Sequence, residues 1–547
     1  MMGNRTLSYR LRGGWKNLVR KGAWAFRPML PSCVKGCAGF VCGLFCLWLT
    51  VSCREEYSRF DEGEVYLQFS QDTVRFDTIF TTMQSVTQRV TVRNPSKDAV
   101  LVDRIYLAGG GGSRFRINVS GDTSLVQNEV VIGGEDSLYI FVNVAIDYRN
   151  QDGPFEIYDY IKFELNGMPA QQVVLTAWGQ DAHYLKSDKT VVLPYRDPAQ
   201  WMASSDPDSV RFSYFYWEPN RVVDSRKPYV VYGYLTVQAG QTLHIPAGSR
   251  FYFAQNSGIW IQAGACLSVE GSLSQPVLFT SLRQDGDYRD MAGQWGRIWM
   301  DGESGPHKVE YALIRNAETA LWLDSCVQTE GGLYVANTRI ENMSKHGILS
   351  KQNRVEGVNL CISSTQVPLM LAEGGSYVFR HGTFVSRYMG GMGFYSQALV
   401  LTNYRVGSEA DNHVFPMEKA EFANSVFYGS SSRQVELDFE EGSASSVDYN
   451  FNSCLISMMP VPDTSSGHYS RCVWNQDPLF VDEGNYGFEI DTIVSPLVGK
   501  GDPAFATGVA ASDIKGVSRA VPPCIGAYEF VQAAPAGLRQ FWRNGRD

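Results

Sequence analysis

Two stretches of this chain gather side chains able to do chemistry on a hydroxyl-rich ligand. Asp285, Asp287, Arg289, Asp290, Asp301 and Glu303 surround the strand-like run Trp295-Gly296-Arg297-Ile298-Trp299. Carboxylates, a guanidinium and indole rings in one place are what a sugar subsite offers: acceptors and donors for hydroxyls, and flat apolar faces for pyranose C–H surfaces. Trp295, Trp299, Asp285, Asp287, Asp301 and Glu303 are therefore a candidate glycan-binding set; the plainer expectation is a loop packed on a strand. In the second stretch, residues 435–441, alternation sends Val435, Leu437 and Phe439 inward and Glu436, Asp438 and Glu440 outward together. Three carboxylates on one face repel unless a cation or solvent screens them, so Ca²⁺ is the metal this strand would take and a solvated acidic strand is the alternative. No other cofactor is indicated. His244 lies between Leu243 and Ile245 and should face outward, and the remaining histidines show no metal-ligand spacing. No GxSxG, HExxH or phosphate-loop pattern occurs.

The elements that must position these groups are written in a repeat. Asn337, Asn359, His381, Asn403 and Asn424 follow one another at steps of 22, 22, 22 and 21 residues. Each has an apolar residue three positions later: Ile340, Ile362, Phe384, Val406 and Phe427. Leu333, Val355, Tyr377 and Leu399 keep the same step, as do Ile348, Met370, Met392 and Val414. Three inward positions per repeat match three short strands per turn of a right-handed parallel β-helix, with coils stacked at strand-pairing distance. Asn suits a fixed corner because a tight bend needs a residue that tolerates left-handed backbone angles and can bond nearby backbone. Asn359 and Asn403 are then expected two layers apart on one edge, with Tyr311 preceding the series and Asn452 continuing it. Triplets such as Leu243-His244-Ile245 and Ile259-Trp260-Ile261, each followed by a turn, extend the pattern back to about residue 229.

Residues 57–182 show period-2 alternation, clearest in Leu138, Ile140, Val142, Val144 and Ile146, with turns at Asn94-Pro95 and Gly133-Gly134. About seven short strands in that length predict an antiparallel β-sandwich. The segment resembles the immunoglobulin-like modules of the abnormal-spindle and hydin type, through Val90 to Pro95 and the closing Trp178-Gly179-Gln180-Asp181-Ala182. Such a module would space the larger domain from a membrane. Residues 183–228 form a connecting segment whose aromatics Phe212, Tyr214, Phe215, Tyr216 and Trp217 would cap the open first coil or stack on sugar rings. The β-helix is expected over 229–530, with a tail from 531 to 547. Its last part, Asp513-Ile514-Lys515-Gly516, Arg519 and Ile525-Gly526-Ala527-Tyr528-Glu529, resembles the closing signature of bacterial surface β-helix proteins, except that Cys524 stands where Asp is usual.

Residues 1–52 carry eight basic residues and no acidic one, and end in Leu49-Thr50-Val51-Ser52 before Cys53. This resembles a bacterial lipoprotein signal with Cys53 as the lipidated residue, and Met29 is an alternative start. Arg54, Glu55 and Glu56 resemble the export tag of Bacteroidota-type surface lipoproteins, which implies an outer-membrane or cell-surface location anchored by lipid. Without the leader the formal charge is −17, which disfavours a nucleic-acid partner. Cys266, Cys326, Cys361, Cys454, Cys472 and Cys524 show neither zinc-site spacing nor a disulfide framework. The whole predicts an all-β, lipid-anchored surface protein with a non-enzymatic binding or scaffolding role directed at glycans. The parallel β-helix also hosts polysaccharide lyases, which need a cation or Arg on the uronate carboxylate, and glycoside hydrolases, which need two carboxyl groups. Both stand as alternatives, as does a purely structural surface role.

Overall fold

A computed structural model describes residues 66–531 apart from 166–167, 196–207, 327–330, 387–395, 406–411, 441–446 and 491. The leader, Met29, Cys53, the export tag and nearly all of the tail lie outside the described residues, as do Met392 and Val406. What is described is all-β, with only short 3-10 turns besides strands.

The N-terminal part is built from a four-stranded and a five-stranded sheet. Alternating residues of both, among them Val90, Phe115, Ile140, Phe163 and Val173, enclose one core and are fully buried. One pair departs from the antiparallel expectation: Thr73–Phe80 runs parallel to Gln171–Gln180. These strands are far apart in sequence, so no hairpin fixes their direction.

Between His183 and Trp474 all but two short strands join a single 26-stranded sheet in which coil stacks on coil. The stacking is legible in the register: Val335 pairs with Gly357 and that with Phe379, and Ile340 with Ile362, Phe384 and Phe427 in turn, all parallel. The inward columns of these strands make one continuous core from Leu185 to Tyr469. At its start an antiparallel hairpin, Lys189–Tyr195 with Asp208–Tyr216, joins the stack through Tyr214 to Tyr216. Phe215 and Trp217 close the first coil from inside, being buried in the solenoid core. The N-terminal sheets meet the stack beside them: Phe80, Ala182 and Val230 share an apolar cluster, and Arg289 pairs with Asp77 at 2.9 Å.

The predicted corner exists, with two corrections. Tyr311, Asn337, Asn359, His381, Asn424 and Ser453 all carry a left-handed φ, between +47° and +54°. Asn359 Nδ2 donates to Asn337 Oδ1 at 2.9 Å, and Asn424 Nδ2 lies 3.0 Å from His381 Nε2. Asn403 does not belong to this edge. Arg380 is in register with Ala423, so His381 is followed by Asn424 in the next coil up, a turn of 43 residues instead of two turns of 22 and 21. Asn403 follows Thr402 on another corner, above Glu373, and has no left-handed φ. Leu399 accordingly pairs with Leu369 and not Tyr377, and Met370 pairs with Leu349 while Ile348 pairs with Leu369. At the top, Asn452 pairs with Ala423, which leaves Ser453 as the corner residue. A second corner escaped the repeat analysis: Asn316 and Asn342, with φ of 65° and 63°, are joined by Asn342 Nδ2 to Asn316 Oδ1 at 2.9 Å.

Candidate functional site: an indole row and a basic cleft on one outer face

Three successive coils carry the same aliphatic-Trp-aliphatic triplet, and its alternation sets the outer face. Ile259, Ile261, Ile298, Met300, Leu321 and Leu323 point into the core, so Trp260, Trp299 and Trp322, which are register partners, project outward. Trp260 and Trp299 stack with ring centroids 5.1 Å apart and planes 9° from parallel. Trp299 Nε1 donates to Asp324 Oδ2 at 2.7 Å and Trp322 Nε1 to Asp324 Oδ1 at 2.9 Å. Two cations close over Trp322, with the Arg297 guanidinium 4.5 Å and the Lys351 ammonium 5.1 Å from its ring centroid. The column continues through Leu349, Met370 and Val400 and ends at Glu436.

Beside this row lies a cleft of about 260 Å³ lined by Arg211, Phe212, Tyr234, Asn256, Gly296, Arg297, Glu318 and Lys345. The first-coil hairpin supplies one wall, where Phe212 meets Tyr234 edge-on at 5.5 Å and Trp299 at 5.6 Å. Gly296 keeps the floor thin, since a Cβ there would collide with the Tyr234 hydroxyl. Glu318 bridges two of the cations, lying 3.4 Å from Arg297 and 3.6 Å from Lys345. Arg211 is exposed at the rim. Three cations against one carboxylate make this a basic site on an acidic chain, suited to an anionic group.

The sequence-predicted residues divide. Trp295 is overturned as a ligand-binding residue: it is 1% exposed, stacks on Phe253 at 4.4 Å inside the core, and donates Nε1 to Arg315 O at 2.7 Å. Strand alternation from Trp299 would send it outward, but the strand begins only at Ile298, and Trp295 lies before it on an isolated bridge to Ala317, outside that alternation. Trp299 is outward and half-buried. Asp285 pairs with Arg283 at 2.9 Å and Asp290 with Arg315 at 2.9 Å, while Arg289 goes to Asp77 of the N-terminal sheets; the Asp287 side chain lies outside the described part. Glu303 is exposed on a turn with φ 62°. Asp301 faces the indole row, and burial, followed by the charge of Asp324, pushes its carboxyl up to about 6 although the Trp260 N–H opposes the shift.

The acidic strand does not assemble a metal site. Glu436 pairs with Arg433 at 3.1 Å, Asp438 accepts the Tyr404 hydroxyl at 3.0 Å, and Glu440 accepts Asn412 Nδ2 at 2.6 Å. The strand ends at Asp438, so Glu440 is carried out of the alternation. Among the described residues no group of three or more His, Cys, Asp or Glu could hold a metal ion, and the Ca²⁺ expectation finds no ligand set here.

Arg211, Arg297, Glu318, Asp324 and Lys345 were not in the predicted set. The cleft joins residues from six strands or loops, which no local pattern reveals. Trp260 and Trp322 did leave a signal, since Ile259-Trp260-Ile261 and Leu321-Trp322-Leu323 repeat the triplet around Trp299.

Comparison with known proteins finds likeness over parts of the chain. Among solved structures, the catalytic unit of a GH87 α-1,3-glucanase from Streptomyces thermodiastaticus strain HF3-3 aligns over 71% of this chain and 89% of its own, at 11% identity and a TM-score of 0.13. A family 123 glycoside hydrolase from Clostridium perfringens aligns over 21% of this chain at 8% identity and a TM-score of 0.15, and the alignment spans a quarter of that enzyme's length, 25%. A protein of unknown function from Porphyromonas gingivalis W83 aligns over 23% of this chain and 62% of its own, at 10% identity and a TM-score of 0.16. No curated protein matches the sequence. Residues 216–318, which supply Trp260, Trp299, Arg297 and Glu318, match the pectate-lyase-like β-helix domain, in agreement with the parallel coils described above.

Proposed function

We propose that this chain is a lipid-anchored surface protein that binds an acidic polysaccharide on the outer face of a right-handed parallel β-helix, with an immunoglobulin-like module between anchor and solenoid. The observation that carries the reading is the basic cleft, in which Arg211, Arg297 and Lys345 converge with one carboxylate, Glu318, beside outward aromatic rings. A uronate carboxylate is the anion that fits, because guanidinium and ammonium donors pair with it directly while Asn256, Tyr234 and Glu318 offer partners for ring hydroxyls. The pectate-lyase-like match supports the same substrate class. The facing sheets around Val90, Ile140 and Phe163 support the module, and the leader ending at Cys53 supports the anchor.

Arg211→Ala and Lys345→Ala touch the rim and not the core, so both variants should fold as the parent does. Each is expected to weaken binding to polygalacturonate by about tenfold, the loss of one charge-assisted contact, while binding to a neutral glucan changes little. Titration calorimetry on the full-length protein reads this directly, and unchanged affinity in both variants would sink the cleft as the site. Metabolic labelling with a fatty-acid precursor checks the anchor: label should enter the wild-type protein and be absent from Cys53→Ala.

A further inference from the structure

One carboxylate stands among the cations of the cleft, and the backbone fixes where it starts. Glu318 N–H donates to Trp295 O at 2.8 Å and to Gly296 O at 3.1 Å, while its own carbonyl accepts the N–H groups of Lys345 at 2.8 Å and His346 at 3.3 Å. The residue thus ties three neighbouring segments of the wall together. What remains adjustable is its side chain, which is 34% exposed and can turn toward solvent by a change of rotamer. In the empty cleft Glu318 Oε2 lies 3.4 Å from Arg297 Nη2 and 3.6 Å from Lys345 Nζ. Arg297 needs such a partner: its side chain is 7% exposed, its guanidinium lies 4.5 Å from the Trp322 ring centroid, and a buried cation without a counter-charge is costly. Arg211, exposed at the rim, has water for that purpose.

We propose that Glu318 is a built-in competitor for the ligand's carboxylate, holding Arg297 and Lys345 while the cleft is empty and yielding them to a uronate, a proposal that rests on the acidic-polysaccharide reading above. Its carboxylate stands on the two donors that a uronate would take, and it is the same chemical group. A second carboxylate brought to those donors meets a like charge at close range, so the two exclude each other. Binding is then an exchange of one carboxylate for another, and the apparent affinity is scaled down to the fraction of molecules whose cleft is clear of Glu318. The exchange also selects. A lone carboxylate such as acetate gains nothing over Glu318 and stays out, whereas a uronate in a chain adds Arg211 and the hydroxyl partners Asn256 and Tyr234. Arg297 keeps a counter-charge in both states, which holds the wall in shape before ligand arrives.

The test compares polygalacturonate binding by the full-length protein and by Glu318→Gln, which keeps the shape and an acceptor oxygen and removes the charge. The Gln variant is expected to bind about five- to tenfold more tightly, opposite in sign to Arg211→Ala and Lys345→Ala, while affinity for a neutral glucan stays within about twofold. Sodium acetate, set against sodium chloride at equal ionic strength, should displace the polymer from the Gln variant and not from the parent. A crystal of the parent with a galacturonate oligomer should show the ligand carboxylate on Arg297 and Lys345 and Glu318 turned to solvent, a readout independent of how the variant folds. Equal or weaker polygalacturonate binding by the variant, a matching gain for the neutral glucan, or acetate acting alike on both proteins overturns the competitor and leaves the acidic-polysaccharide reading intact. So does Glu318 still resting on both cations in the liganded crystal. No polygalacturonate binding by either protein overturns that reading, and the competitor with it.

Discussion

Trp295→Ala is expected to lower the unfolding free energy by about 3–5 kcal/mol, as large-to-small changes at fully buried aromatic sites do. The ring is 1% exposed, lies against Phe253 with 18° between planes, and satisfies its N–H on Arg315 O. Alanine would leave a cavity in a solenoid core that cannot collapse, because the coils around it are fixed by parallel pairing above and below. Trp299→Ala removes a ring of equal size from the outer face, where solvent can fill the gap, and should cost clearly less. Denaturant unfolding of both variants separates core from surface. Equal losses would mean that Trp299 is as structural as Trp295.

The contrast shows where sequence reading held and where it failed. Inward columns were legible wherever a strand keeps strict alternation, as in Ile259-Trp260-Ile261. They failed at Trp295 because it precedes the strand that begins at Ile298, and parity carries only within a strand. The Asn corner was legible because a left-handed φ in every coil selects for Asn and similar residues. The same step misled at Asn403, where a 43-residue turn happens to contain an Asn near its midpoint. Spacing alone cannot tell two turns from one long one; only the register of Arg380 with Ala423 does. The cleft was illegible for a different reason. Its cations sit in coils far apart in sequence and meet only after stacking, whereas Glu436, Asp438 and Glu440 look like a site in sequence and disperse onto Arg433, Tyr404 and Asn412.

The closing segment near residue 520 carries the second large effect. Arg519 and Glu529 are buried, with side chains 1% and 3% exposed and 3.4 Å apart. Arg519 Nη2 donates to Asn359 Oδ1 at 2.9 Å and to Gly526 O at 3.1 Å, which ties the segment to the Asn corner. Glu529 accepts Cys524 N–H at 3.0 Å and donates its own N–H to Asp513 Oδ2 at 2.9 Å. Asp513, Arg519 and Glu529 of the segment that resembles a closing signature are thus members of one buried polar network, and Cys524 keeps an acceptor role through Sγ, which takes the Phe530 N–H at 3.4 Å. Burial lowers the guanidinium's proton affinity, and the Glu529 and Asp513 charges oppose that. Arg519→Met removes one partner and strands Glu529 in a low-dielectric site, which is expected to cost about 3–5 kcal/mol. The double change Arg519→Met with Glu529→Gln removes both charges of the pair and leaves Asp513 on its backbone N–H donors, so it should recover much of the loss. Hydrogen exchange should register the single variant as lost protection at Ala527 and Gly526, whose N–H groups bond Thr383 Oγ1 and Asn424 O. A single variant as stable and as protected as the parent would mean that the segment is held by its apolar contacts, Ile525 and Tyr528 among them, and not by the ion pair.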